Sequence, residues 1–383
     1  MPRHFLVLTI LAVTQVIGWG TVGSLPVIAR PVAAEFGAPL SSVFLGTSVM
    51  YLATALAAPW TGGAFRRFGT RQVMAAGAGL IGLGLGLLAL VPDLPAFLAA
   101  WALIGVAGAM FLTTAAYAYV ADHAGDRARS LIGTLMLLTG LASSVFLPIT
   151  GFLDDLAGWR WTVLGYGGLM VLLVCPLVRF GLPAAGAGTA AAAPGGARRK
   201  GPVFTLLVAA IALNSFVTFG IQAVGIELLQ AMGAELSASI AIASALGLFK
   251  VGGRVIDLLG GPRWDGLSTA LVSGAMMPLG LAALWLGGAG WLPVGGYLLL
   301  FGVGSGAFAV ARATMPLVFY SKADYAAAMA TIALPMNLIN ALAPPLLAAL
   351  MARIGAQAIF AVLGVLSLAA LAVLLRLRRL ARR

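Results

Sequence analysis

Long apolar stretches alternate with short polar connections along the whole chain. An α-helix needs about twenty consecutive apolar residues to cross the hydrocarbon core of a bilayer. By that rule the sequence contains twelve candidate spans, at residues 5–28, 40–62, 72–92, 95–120, 130–152, 160–181, 203–226, 237–259, 267–287, 292–318, 327–350 and 357–376. The pattern predicts an all-α membrane protein with twelve transmembrane helices.

One segment of different composition separates the sixth span from the seventh. Residues 183–202 read PAAGAGTAAAAPGGARRKGP, rich in Pro, Gly and Ala and ending in a basic cluster. Such a composition is typical of a linker. The sequence therefore predicts an N-terminal six-helix bundle at 1–182, a cytoplasmic linker at 183–202 and a C-terminal six-helix bundle at 203–383.

The composition agrees with a membrane protein and excludes an ordinary soluble enzyme. The chain is 61% hydrophobic and 9% charged, and its mean hydropathy is +1.05. Soluble domains are roughly 45–50% apolar and about 25% charged. The formal net charge of +12 would suggest nucleic acid in a soluble protein. Here it indicates basic loops facing anionic membrane lipid, and we expect no nucleic-acid partner. The lone cysteine, Cys175, lies in an apolar run and is interpreted as packing.

The distribution of Lys and Arg predicts the orientation of the chain. One set of connections and ends is strongly basic, with Arg3, Arg66, Arg67, Arg71, Arg127, Arg129, Arg179, Arg198, Arg199, Lys200, Arg263, Lys322, Arg376, Arg378, Arg379, Arg382 and Arg383. The opposite set holds Arg30, Arg160 and Arg353, and most of the acids. Both termini and the linker are therefore expected on the cytoplasmic side, in a bacterial inner membrane.

The two halves repeat one another weakly. LIGVAGAMF in span four is similar to LFGVGSGAF in span ten, and TGGAFRRFG after span two is similar to VGGRVIDLLG after span eight. Inverted or parallel repeats of this kind are typical of secondary transporters, whose halves move about a central site.

The segment after span two resembles the loop motif of the major facilitator superfamily, Gly-x-x-x-Asp-Arg-x-Gly-Arg-Arg/Lys. The first copy is matched at Gly62, Arg67, Gly69 and Arg71, whereas Arg66 stands at the position of the acid. The weaker copy after span eight is matched at Gly253, Asp257 and Gly260. The residue pattern of spans one, ten and eleven is similar to that of bacterial members near the monocarboxylate and oxalate/formate-type porters. The resemblance implies twelve spans and transport by alternating access, with spans one, four, seven and ten lining a central cavity.

Two glycine-rich runs, GLGLG at 82–86 and GVGSG at 302–306, look like nucleotide-binding loops. Both lie inside apolar spans, without the strand or the downstream acid that such loops need. Small residues at this spacing let membrane helices approach closely, so we interpret both runs as packing sites.

Candidate substrate ligands are the polar side chains at depth. Lys250 in span eight and Arg312 in span ten could attract an anion, although either side chain could instead snorkel to the headgroups. The expected cavity-lining spans also carry uncharged candidates, namely Gln15, Tyr117, Asn214 and Gln222. Each of these could equally form a hydrogen bond between helices.

Candidate gating residues lie at the expected cytoplasmic ends of the spans. The resemblance places Asp257, with Arg254 one turn before it, against the start of span five, which carries Arg127 and Arg129. It likewise places Arg66 and Arg67 against the start of span eleven. There Asp324 stands where a helix N-cap would stand, which suggests a charge-swapped gate. The alternative is that the arginines only anchor the loop to lipid.

These features together indicate a transporter rather than an enzyme. No nucleophile–base set and no metal cluster is evident, so no cofactor is expected. Lys250 and Arg312 are predicted to lie at depth, where acids are scarce. These two cations favour a small organic anion, such as a monocarboxylate, as the substrate. A multidrug or hydrophobic-metabolite exporter of the same superfamily is the alternative, although the arginine expected early in span four of many proton-coupled antiporters is absent. We expect a monomer with a small-molecule substrate.

Overall fold

The computed structural model describes residues 2–124, 128–183, 201–259, 265–319 and 322–381. Within these ranges the regular elements are helical. They are α1 (Pro2–Val22), α2 (Leu25–Phe36), α3 (Leu40–Phe68), α4 (Thr70–Leu88), α5 (Leu94–Phe111), α6 (Thr113–Ala124), α7 (Ala128–Thr139), α8 (Ala142–Leu169), α9 (Pro202–Ala231), α10 (Leu236–Leu259), α11 (Gly266–Gly287), α12 (Trp291–Tyr297), α13 (Val303–Thr314), α14 (Pro316–Phe319), α15 (Lys322–Ile354) and α16 (Ala356–Ala381). Short π-helical segments follow α8, at Met170–Val174 and Leu177–Gly181, and join α12 to α13, at Leu298–Gly302.

The chain forms two compact units, Met1–Ala192 and Ala193–Arg383. In the first unit α5 packs against α3 and α4, and α8 packs against α4 and α1. In the second unit α16 packs against α9 and α11, while α13 packs against α10 and α11. Large apolar side chains fill both units, and others such as Leu172, Phe180 and Leu286 remain exposed on the helices.

Ten helical segments of the described residues are long and apolar enough to cross a membrane. One of them, Leu131–Gly181, has 51 residues. A helix of that length would measure about 76 Å, against a hydrocarbon core of about 30 Å. It is interrupted at Gly158, whose φ of 79° lies in the left-handed region, so the segment is long enough for the predicted spans five and six together. The predicted span eleven lies in α15. The segment Leu338–Ile354 of that helix is apolar but shorter than the ten candidate spans. The twelve-span arrangement thus stays a prediction.

Several predicted spans are interrupted helices rather than continuous ones. Pro26 follows the break between α1 and α2, and Pro316 follows the break between α13 and α14. A proline lacks the N–H and its ring clashes with the carbonyl four residues earlier. The breaks at Ser24 and Met315 follow from that chemistry.

The connection after span two is tighter than the sequence indicated. The apolar pattern ended this span at residue 62, but α3 continues to Phe68, and only Gly69 separates it from α4. Gly69 has φ 81° and ψ 141°, a conformation that suits glycine. Arg66 and Arg67 therefore lie in the last turn of α3, where basic side chains interact favourably with the helix dipole.

Glycines at the helix crossings confirm the packing interpretation of the two glycine-rich runs. A Cβ at Gly82 would lie 2.8 Å from the carbonyl oxygen of Gly167, and one at Gly84 would lie 2.6 Å from Cγ1 of Ile104. In the second unit, a Cβ at Gly306 would collide with the backbone carbonyl of Lys250. The helices approach too closely at these points for any larger residue.

Candidate substrate site

Lys250 and Gln222, two residues predicted separately, lie together in the second unit. Nζ of Lys250 on α10 donates a hydrogen bond of 3.3 Å to Oε1 of Gln222 on α9. Lys250 is half-buried and Gln222 is exposed. Nine residues separate Lys250 from the end of α10 at Leu259, which corresponds to about 14 Å along the helix axis. The ammonium group is therefore held by a neighbouring helix, well before the end of α10.

The close crossing of α10 and α13 fixes the backbone that carries Lys250. Gly306 of α13 packs on the carbonyl of Lys250, and Gly253 of α10 packs on the carbonyl of Val303. These two glycines face opposite helices, so each backbone fits against the other without an intervening side chain. The start of the Lys250 side chain is consequently set by main-chain contact.

The partner of Lys250 is an uncharged group. In the part of the chain that the structure describes, the Lys250 head group contacts a neutral amide rather than a carboxylate. Arg254 follows one turn later on the same helix. A cation with a neutral partner can bind an anion through charge-assisted hydrogen bonds.

The other predicted ligands of the second unit lie apart from this pair. Asn214 is fully buried in α9, where its Nδ2 donates to the carbonyl of Ala210 at 3.0 Å. It lies eight residues, or about 12 Å, along the helix from Gln222. Arg312 is half-buried in the last turn of α13 and contacts other groups of the protein.

Gln15 in the first unit supports a break in the predicted span four. In a continuous helix the carbonyl of Phe111 would accept from Ala115, but the amide of Ala115 donates to Leu112 at 2.9 Å. Nε2 of Gln15 donates to the freed carbonyl of Phe111 at 2.8 Å. Gln15 is fully buried, and its Oε1 has no partner among the described residues.

A second side chain of α1 lies on the other side of the same break. Nε1 of Trp19 donates to Oγ1 of Thr113, the first residue of α6, at 2.8 Å. Tyr117, the remaining predicted ligand, is half-buried one turn further along α6 and contacts other groups of the protein. The sequence around Leu112 contains no proline, so the pattern gave no indication of this break.

The sequence also gave no indication of a polar cluster that links three parts of the first unit. Arg160 donates from Nε and Nη2 to Oε1 of Glu35, at 2.9 and 2.6 Å, and also donates to the carbonyls of Ala89 and Val91. Trp159 donates to Oε2 of Glu35 at 2.7 Å, and its ring lies 4.5 Å below the Arg160 guanidinium. We call these residues the Arg160 cluster. It joins α2 and α8 to the connection that follows α4.

A second group of contacts surrounds the connection from α3 to α4. Thr70 donates to the carboxylate of Asp122 at 2.7 Å, and Arg71 donates to the carbonyl of Leu182 at 3.1 Å. The hydroxyl of Tyr119 donates to the carbonyl of Pro183 at 2.9 Å. The start of α4 and the end of α6 are thereby tied to the last described residues of the first unit.

The predicted gating residues are described only in part. Arg66 and Arg67 are exposed, and Arg67 lies 5.2 Å from the ring centre of Phe68. Arg254 is half-buried and has a partner within the protein. Arg127 and the side chains of Arg129, Asp257 and Asp324 lie outside the described residues.

One of these positions nevertheless differs from the prediction at the level of the backbone. Asp324 lies inside α15, which includes Lys322, so it stands in the first turn and is not the N-cap. Here the helix begins before the predicted apolar span, which started at residue 327. Asp257 lies inside α10, which ends at Leu259 as the predicted span eight did.

The family of the chain follows from comparison with known proteins. The model of the Major Facilitator Superfamily matches residues 8–298, which is most of the sequence. The chain belongs to the major facilitator superfamily. No curated protein matches it. Membership identifies the protein as a transporter rather than an enzyme, as the sequence predicted.

Solved structures of the superfamily share its fold at low sequence identity. A bacterial homologue of the human lysosomal transporter Spinster has a TM-score of 0.77 in its inward-facing, occupied conformation, with 16% identity over 99% of this chain and 97% of that one. The unoccupied conformation of that homologue gives 0.78, with 15% identity over 99% and 98%. The human organic anion transporter MFSD10 gives 0.71, with 17% identity over 98% and 100%.

Proposed function

We propose that this protein is a secondary transporter for a small organic anion, such as a monocarboxylate, and that it works by alternating access. The proposed arrangement has twelve spans in two six-helix bundles, 1–182 and 203–383, joined by the linker 183–202. It acts as a monomer in the bacterial inner membrane, with both termini and the linker in the cytoplasm.

The observation that carries the proposal is the contact between Lys250 and Gln222. An ammonium group at depth in a membrane helix is costly and is a functional candidate by default. Here it is held by a neutral amide at 3.3 Å, and Gln222 is exposed on α9, the predicted span seven. Because span seven lines the cavity in this superfamily, we place Gln222 at the cavity wall, where it presents the Lys250 ammonium group of span eight to a substrate carboxylate.

The comparisons add support for this substrate class without determining it. MFSD10 is described as an organic anion transporter, and this chain matches its fold over almost its whole length. The chain has 11 acidic residues against 23 basic ones. That balance suits an anionic substrate, although basic loops also serve membrane topology.

Uptake into proteoliposomes tests the proposal. Purified protein is reconstituted and supplied with radiolabelled short carboxylates, with and without an imposed pH gradient. We expect saturable uptake that Lys250→Gln lowers by at least about tenfold, since it removes the charge that pairs with the carboxylate. Arg376→Gln, an exposed arginine of α16, is the matched control and should keep normal uptake.

A parallel assay tests the alternative function, which is the export of drugs or hydrophobic metabolites. Cells that produce the protein are loaded with a lipophilic cationic dye, and its efflux is followed. Dye efflux that Lys250→Gln leaves unchanged, together with no carboxylate uptake in proteoliposomes, would overturn the proposal in favour of the exporter.

A further inference from the structure

The hydrogen bond between Lys250 and Gln222 fixes which atoms of the glutamine can meet a ligand. An ammonium group has donors and no acceptor. The atom of Gln222 that faces Nζ must therefore be its carbonyl oxygen, as the contact of 3.3 Å records. The amide nitrogen, with two N–H donors, is left for a ligand. Nζ of Lys250 keeps two further N–H donors of its own.

The pair consequently offers donors to a ligand and very little acceptor capacity. Oε1 of Gln222 retains one lone pair, but a group bonded to it would lie within about 6 Å of Nζ, since each of the two hydrogen bonds spans about 3 Å. A cationic donor at that distance is repelled by Lys250 and by Arg254 one turn further along α10. A ligand ammonium group therefore has no favourable position here.

The nearest acidic residue on the helix of Gln222 does not change this balance. Glu227 lies five residues further along α9, which places it about 140° around the helix axis from Gln222. It is also buried and has a partner within the protein. An acceptor for a ligand cation is thus not supplied from that side of α9.

We infer that the Lys250–Gln222 pair selects carboxylates that carry a hydrogen-bond acceptor on the adjacent carbon, and that it rejects their amino analogues. The inference rests on the proposed function. In the preferred 2-oxo acid, the carboxylate pairs with Lys250 Nζ and the oxo oxygen accepts from Gln222 Nε2. A 2-hydroxy acid can accept the same bond but leaves its own proton without an acceptor. A 2-amino acid brings a positively charged ammonium group to the N–H donors of Gln222 and Lys250, which offer it no acceptor.

Matched sets of substrates that differ only at that carbon test the inference. Uptake into proteoliposomes is compared for pyruvate, lactate, alanine and propionate, and for the corresponding sets of longer chain length. We expect the 2-oxo acid to be taken up best and the amino acid at least about tenfold less well, because a site arranged for one hydrogen-bonding pattern rejects another strongly. Equal uptake of the oxo and amino acids would overturn the inference and leave anion transport standing.

A variant separates the roles of the two residues. Gln222→Leu should bring the ratio of pyruvate to propionate uptake close to one while propionate uptake persists, since Lys250 remains. Gln72→Leu, at an exposed position of α4, is the control and should keep the wild-type ratio. An unchanged ratio in Gln222→Leu would contradict the role assigned to the glutamine. Absence of uptake for every carboxylate of every chain length would instead overturn the proposed function, and the inference with it.

Discussion

At the scale of single residues, some buried polar groups in this protein bond to atoms that lie far away in the sequence. Gln15 illustrates the point, because its amide reaches a main-chain carbonyl 96 residues further along the chain. In an apolar interior a carbonyl without a donor is costly, so the break at Leu112 depends on such a donor. The same glutamine leaves its own Oε1 without a partner among the described residues.

Replacement of Gln15 by leucine is therefore expected to destabilise the first unit. Gln15→Leu removes the donor to the Phe111 carbonyl, and relief of the unpaired Oε1 offsets only part of that loss. We expect a net cost of about 1 kcal/mol, in the range of hydrogen bonds between membrane helices. Thermal unfolding in detergent should show a Tm lower by a few degrees, whereas Gln72→Leu at an exposed site should not change it. A Tm equal to that of the wild type would mean that the break at Leu112 does not depend on Gln15.

At the scale of helices, the Arg160 cluster holds together elements that hydrophobic packing alone would leave adjustable. The guanidinium bonds to Glu35 of α2 and to two carbonyls just after α4, and carbonyls at a helix end favour a cationic donor. Arg160 and Glu35 are 31% and 42% exposed, so the ion pair alone contributes at most about 1 kcal/mol. The bonds to the two carbonyls add to that contribution.

Loss of the Arg160 side chain should thus cost more than loss of an exposed arginine. Arg160→Ala removes its bonds to Glu35, Ala89 and Val91, with an expected cost of about 2–3 kcal/mol. Arg160→Lys keeps the charge but not the planar fork, so its effect should be intermediate. The control is Arg353→Ala, an exposed arginine near the end of α15. Chemical or thermal unfolding measures the stability of the three variants. Equal stability of Arg160→Ala and Arg353→Ala would contradict this role.

The contact between α10 and α13 leads to a prediction about glycine. Gly306→Ala places a methyl group on the Lys250 carbonyl and forces the two helices apart. We expect a loss of folded protein or of carboxylate uptake, since overpacking costs about 1–3 kcal/mol. Gly364→Ala in α16 is the matched control, because a Cβ there meets no atom within 4 Å. It should be neutral or slightly stabilising through helix propensity. If both variants fold and transport normally, the close crossing is not required.

At the scale of the whole molecule, two units of similar construction each contain interrupted helices. The proposed topology depends on where the chain changes sides, above all within the long segment Leu131–Gly181, which turns at Gly158. If that segment crosses the membrane twice, the exposed Asp155 lies on the outer side. If it crosses once, every later connection lies on the opposite side of the membrane from the predicted one.

Labelling of single cysteines distinguishes the two topologies. Cys175 is the only cysteine of the chain, so Cys175→Ser gives a background without thiols. In that background Asp155→Cys and Glu235→Cys should react with a membrane-impermeant maleimide on intact cells. Lys200→Cys in the linker should react only after the cells are opened. Labelling of Lys200→Cys on intact cells would contradict the predicted cytoplasmic linker.

The sequence by itself determined the features that depend on local composition. Apolar length identified an all-helical membrane protein with many candidate spans, because the cost of placing polar groups in hydrocarbon acts on each segment separately. The loop motif around Gly62 and Gly69 identified the superfamily. The position of Lys250 within a long apolar helix also followed from the apolar run around it, and the glycine-rich runs were correctly interpreted as packing sites.

Only the tertiary structure decided which side chains meet. Lys250 meets Gln222 across 28 residues, and Arg160 meets Glu35 across 125. Such pairs depend on how each helix is rotated about its axis and which helices are its neighbours. Both are set by close packing at points such as Gly306 and Gly253, where main chains touch. A uniformly apolar helix carries little periodic signal for its rotation, so hydropathy alone could not predict these contacts.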